Sequence, residues 1–131
     1  MQRQDIGPRY FGDRLGYNHA VLVENPQRWL VIAGHEARDD HGAIAHADDI
    51  RGQLRLTFRR LSETLAEAGF SLADVVQLRI VTTDIAATTA NYDVITEILA
   101  EADCRPASLL AEVAALSDPA MMVEIEALAA Q

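Results

Sequence analysis

An α+β domain, one mixed sheet with two helices packed on one face, follows from three features of the sequence. Five short runs are rich in β-branched and aliphatic residues. Two longer stretches repeat apolar side chains every three or four residues. The two kinds alternate in the order β-β-α-β-α-β-β, and two amphipathic helices can cover only one face of the resulting mixed sheet.

Met1–Gly16 is rich in Gly, Arg and Asp and reads as an N-terminal arm that becomes ordered near Tyr10-Phe11. His19–Val23 and Trp29–Ala33 are apolar runs. Glu24-Asn25-Pro26-Gln27-Arg28 between them has turn chemistry, since Pro presets φ and Asn tolerates unusual backbone angles. An antiparallel hairpin ending at Gly34-His35 is expected. Glu36–Asp48 is polar and of the length at which loops carry function or mobility. Asp48 or Asp49 then caps a helix running to Gly69, with Ile50, Leu54, Phe58, Leu61, Leu65 and Ala68 on one stripe and a glycine stop at its end. Val75–Thr82 is a β-branched run suited to an interior strand. A second helix is expected over about Ala87–Ala102, with Tyr92, Ile95 and Leu99 on one face, and Pro106 prevents its continuation. Strands at Ala107–Ala114 and Met121–Ala129 close the fold. In the last, Glu124 and Glu126 share one face, while Val123, Ile125 and Ala127 take the other.

The chain of 131 residues fits a single domain, 1–131, able to bury ~65–70% of its unfolded surface without covalent staples. Its net charge of −9 and scattered arginines oppose nucleic-acid or anionic-membrane partners, which need a basic patch. Cys104 is the only cysteine, and neither a signal peptide nor a spanning apolar run is visible, so a cytoplasmic protein is expected. Two helices cover only one face of the sheet. Leu78 or Val81, Leu110, Met122 and Leu128 would stay exposed on the other, which points to self-association.

From about Tyr17 to Ala129 the residues resemble the Rid/YjgF family, the reactive intermediate deaminases also labelled endoribonuclease L-PSP. Tyr17-Asn18-His19-Ala20-Val21 is similar to the family's Tyr-Ser-Gln-Ala-Val, and Val31-Ile32-Ala33-Gly34-His35 to its Val-Ser-Gly-Gln. Leu65–Gly69 with Asp74-Val75-Val76, and Val123–Ala129 against Val-Glu-Ile-Glu-Ala-Ile-Ala, continue the match in order and spacing. The resemblance implies a chorismate-mutase-like fold, a homotrimer with three small-molecule clefts between subunits, and hydrolysis of enamines or imines to ketones and ammonia without metal or organic cofactor. It also implies that an arginine in Pro-Ala-Arg-Ser grips the substrate carboxylate through a charge-assisted fork, and that the first glutamate of Val-Glu-Ile-Glu positions the attacking water.

The departures bear on substrate. Pro106-Ala107 aligns with Pro-Ala, so Ser108 stands at the arginine position. Ala33 and His35 stand where the family has Ser and Gln, and a cleft-facing asparagine falls on Tyr92, or on Asn91 after a one-residue slip. A serine supplies no positive fork, and losing a charged contact costs ~1.5–3 kcal/mol, so the usual 2-imino acid chemistry is not expected. Arg105 lies three positions from Ser108, which on a strand reverses the face and moves the group ~10 Å. The catalytic candidates are Glu124, orienting water, and His35, as an acid or base or else a hydrogen-bonded strand end. Tyr17, Ala33, Gly34, Asn91 or Tyr92, and Ser108 are the substrate-binding candidates. His35, Glu36, His41 and His46 do not form a helical metal motif, and no metal ligand is assigned.

Overall fold

The structure, a computed structural model, describes residues Met1–Gln131. Its elements are β1 (Gln2–Ile6), α1 (Gly12–Leu15), β2 (Ala20–Glu24), β3 (Trp29–His35), α2 (Ile50–Glu67), β4 (Val75–Thr82), α3 (Ile85–Ala90), α4 (Asp93–Glu101), β5 (Ala107–Glu112) and β6 (Val123–Ala130). Four strands form a mixed sheet in the order β3-β6-β4-β5, with β4 and β5 parallel and the other pairs antiparallel. The α+β class and the one-sided helical layer are as the sequence predicts.

α2 forms where the apolar stripe places it. The Asp49 side chain accepts from the Gly52 N–H at 3.0 Å, satisfying one of the free donors of the first turn. Leu54, Phe58, Leu61 and Leu65 are buried against Leu78, Ile80, Val123 and Ile125 of the sheet. Just beyond the helix, Gly69 has φ +77°, the left-handed stop its position predicts.

Gln53 is a polar residue in this core, and its amide explains why it is there. Nε2 donates to Ala120 O at 2.7 Å, and Oε1 accepts from Met122 N at 2.8 Å, fastening the entry of β6 to the first turn of α2. Gln53→Leu keeps the volume but strands two backbone groups, so we expect a loss of about 2–3 kcal/mol. Urea unfolding should show a lower midpoint at unchanged slope; an unshifted midpoint would assign the site to packing alone.

Four expectations need correction. The hairpin between the first two apolar runs does not form. β2 pairs with β1, and β3 pairs with β6. The head of β2 touches β5, where Asn18 N–H donates to Pro106 O at 2.8 Å. β1 and β2 therefore form a separate two-stranded sheet on the β5 side, while β3 is the opposite edge of the four-stranded sheet, and Glu24–Arg28 is a crossing whose Gln27 and Arg28 N–H groups bond Gln131 O. Turn chemistry marks where a chain changes direction but not which strand it meets next.

Second, Met1–Gly16 is not a plain arm. It holds β1 and the single turn α1, and Arg3 ties β1 to the domain by donating to Ala73 O at 3.1 Å and Arg105 O at 2.7 Å. Third, the second helix is two: α3 ends at Asn91, whose Nδ2 donates to Ala87 O at 2.7 Å, and α4 restarts after Tyr92. The Thr82 and Thr88 hydroxyls, 2.8 Å apart, pin α3 to the end of β4. Fourth, Leu78 and Leu110, paired with Ser108 and Ile80 in the β4–β5 register, point to the helices rather than to the open face. The open face instead carries Val31, Val81, Leu109 and Leu128, with Val31 81% and Leu109 47% exposed. Met122 also packs against the core, so the uncovered apolar surface is made by partly different residues from those expected.

Candidate functional site

β6 carries Glu124 on the open face because Val123 and Ile125 on either side are committed to the core. Beside it, β3 bulges. From Ile32 opposite Ala127 to His35 opposite Ile125, β3 advances three residues while β6 advances two. The bulge brings the Gly34 backbone under the Glu124 side chain. A Cβ on Gly34 would fall 2.7 Å from Glu124 Cδ, so only glycine lets the carboxylate lie there. The two line a depression of about 140 Å³ with Val81, Arg79 and Glu126.

Burial pushes the Glu124 carboxyl above the usual carboxylate range. Repulsion from Glu36 and Glu126 acts in the same direction, while Arg38 and His35 oppose it. The two acids of the strand differ in their partners. Glu126 is ion-paired to Arg79 at 3.1 Å, and Glu124 has no ion pair within 4 Å. Arg38 is held away by Glu36, to which its Nε donates at 2.7 Å.

His35 is tethered at both ring nitrogens, with Nδ1 2.7 Å from Ala33 O and Nε2 2.7 Å from Thr64 Oγ1. A carbonyl only accepts, so the network assigns the proton to Nδ1 and leaves Nε2 to accept from the Thr64 hydroxyl. His35 thereby locks the bulge to α2. Ala33 is exposed on the same bulge.

The other predicted residues gather on the opposite side of the sheet. Tyr17, Tyr92 and Ser108 line one cleft of about 940 Å³, walled by α1, α4 and β5. Gly12 lets α1 fold onto Tyr17, since a Cβ there would meet Tyr17 O at 2.9 Å, and Phe11 stacks edge-on against the Tyr17 ring at 6.3 Å. Tyr92 takes the position between α3 and α4, 5% exposed, with its phenol pushed up to about 12 by burial. The Ser108 hydroxyl is its neighbour and offsets part of that shift, yet no well-directed hydrogen bond reaches Ser108 Oγ, which is buried and unpartnered.

Asn91 is absent from the cleft. Its Oδ1 accepts from Arg51 at 3.2 Å on the far side of the helix break. Arg105 is also outside it, 64% exposed and 3.7 Å from Asp5. Burial pushes the Cys104 thiol up to about 12, an inert setting. Arg14 enters the cleft unannounced by the sequence. A four-residue helix has no period to read, and only the flanking Gly12 and Gly16 hint at a turn there.

The predicted residues thus fall into two groups: Gly34 and Glu124 on the open face, and Tyr17, Tyr92 and Ser108 under the helices. No cleft contains both.

The strand order and one-sided helices define the YjgF-type, chorismate-mutase-like fold shared with the E. coli YjgF gene product (22% identity, TM-score 0.71, covering 88% of this chain and 87% of the E. coli chain).

 At this identity the likeness bears on the fold alone. The family model for endoribonuclease L-PSP matches residues 12–131, and the chain belongs to this Rid/YjgF/L-PSP family. A conserved Rid-family protein of unknown function from Yersinia pestis is 32% identical over 100% of both chains, with a TM-score of 0.87. A YjgF/YER057c/UK114-family member from Mycobacterium tuberculosis is 33% identical over 99% of this chain and 100% of its own, with a TM-score of 0.65. No curated protein matches the chain. No helix is long and apolar enough to cross a membrane.

Proposed function

We propose that the protein is a homotrimer in which the Glu124 face of one subunit closes over the Tyr17–Tyr92–Ser108 cleft of the next, and that this composite cleft hydrolyses an enamine- or imine-type metabolite. The observation that carries the reading is the split itself: the two half-sites lie on opposite faces of one sheet, so only a second copy can bring them together. The uncovered Val31 and Leu109 support association. E. coli TdcF, alike in fold at 22% identity and a TM-score of 0.73, has a structure with bound serine, which fits a small-molecule site.

The chemistry needs few groups. Glu124, as carboxylate, takes a proton from water while the oxygen adds to the C=N carbon. The proton passes to nitrogen, and the carbinolamine collapses to ketone and ammonia, so that imine plus water balances ketone plus ammonia. A carboxyl raised above its usual range is better matched to this proton traffic than an exposed one. Ser108 in place of the family's arginine removes the fork that would hold a 2-imino acid at that position.

One feature favours a second reading, a non-catalytic metabolite-binding trimer. The Tyr92 phenol, at about 12, does not ionise near neutrality, and Ser108 has no base beside it, so this pair supplies no proton-transfer group. Two measurements decide. Light scattering should give three chains per particle; a stable monomer removes both readings. Ammonia release should be followed with 2-aminoacrylate made in situ by a dehydratase and with bulkier imines made by an amino-acid oxidase. Acceleration of the bulkier set supports hydrolysis, and no acceleration of any imine leaves the binding reading.

A further inference from the structure

The cleft is large for the family's small imino acids. In the single chain, open on the side the next subunit would cover, it measures about 940 Å³, within the range of sites for ligands far bigger than a three-carbon imine. Its walls are mainly apolar, from Phe11, Leu15, Tyr17 and Leu110, and its polar groups stand at different depths. Ser108 Oγ is fully buried and unpartnered, whereas Arg14 is exposed on α1.

Arg14 is the only cation in the lining, and it makes no ion pair within 4 Å and no hydrogen bond. Two acids share the lining. Asp93 is neutralised by a two-pronged contact with Arg51, at 2.8 and 2.9 Å, and Glu97 lies in the field of the same Arg51. One free guanidinium beside these acids suits a monoanion better than a phosphate dianion.

We infer that Arg14 is the anion anchor of this cleft, and that the ligand is an apolar-bodied monocarboxylate whose carbonyl or imine group, remote from the carboxylate, reaches Ser108. The inference rests on the reading of this cleft as the substrate site. It reassigns carboxylate recognition from β5 to α1 and separates the charge from the reacting carbon, so a 2-imino acid would not satisfy both groups at once.

The test is calorimetric binding to the intact protein of three unreactive probes: 3-benzoylpropionate, its primary amide, and pyruvate. Benzoylpropionate should bind about tenfold to a hundredfold more tightly than the amide, the range expected of a charged hydrogen bond, and more tightly than pyruvate. Arg14→Met should abolish the preference for acid over amide. Arg14→Lys should retain part of it, and Arg105→Gln all of it. An unchanged preference in Arg14→Met, tighter binding of pyruvate, or no binding of benzoylpropionate overturns the inference. Since the readout is binding, it does not depend on turnover: tight, Arg14-dependent binding without ammonia release from any imine would sink the hydrolase reading and leave this one standing.

Discussion

Glu124→Gln is expected to lower imine hydrolysis by about two to four orders of magnitude, the usual contribution of a positioned acid–base group, while the particle stays trimeric. The change is nearly isosteric, and it keeps a polar group above Gly34. The wild-type pH profile carries a second signature. Glu124 must be ionised to accept a proton, so activity should rise with pH through its folded-state pKa, which burial and the neighbouring Glu36 and Glu126 hold above the ordinary value. The acidic limb should therefore lie above about pH 4.3, the value of an unperturbed glutamate.

Stability responds with the opposite sign. A carboxyl whose folded pKa is raised binds more protons folded than unfolded between the two pKa values, so its contribution falls as pH rises through that window and stays low above it. Glu124→Gln should therefore match or exceed the wild type in unfolding midpoint near neutrality. The difference should vanish below the unfolded pKa. A neutral-pH loss of stability would mean that the carboxylate is a structural partner instead of a strained catalytic one.

What could be read in the sequence divides along physical lines. α2 was legible because Leu54, Phe58, Leu61 and Leu65 repeat with the helical period over eighteen residues and end at a glycine stop. The shared direction of Glu124 and Glu126 was legible because a strand alternates strictly. β1 was not, since Gln-Arg-Gln-Asp carries no apolar alternation; its pairing is held by backbone bonds to β2 and by Arg3. The partner of β3 was invisible too, because it lies about a hundred residues further along the chain. The same limit governs the site. Ser108 and Glu124 stand close in sequence, but β4 separates β5 from β6 in the sheet, and the two side chains leave opposite faces. Spacing along a chain cannot reveal that two nearby residues leave opposite faces of one sheet.

That division gives the sharpest expected result. Ser108→Phe puts a ring into the cleft floor and should be inactive as a trimer, as should Glu124→Gln. In the proposed cyclic trimer, each cleft takes its Glu124 from one chain and its Ser108 from the next. In particles assembled at random from equal amounts of the two variants, a cleft is intact only when the first chain is Ser108→Phe and its neighbour is Glu124→Gln. Each condition holds half the time, so about a quarter of the clefts should work and about a quarter of wild-type activity should return. The assay is ammonia release after co-refolding, with each variant refolded alone as the control. If both groups served the same chain, every cleft would carry one defect and the mixture would stay as inactive as its components.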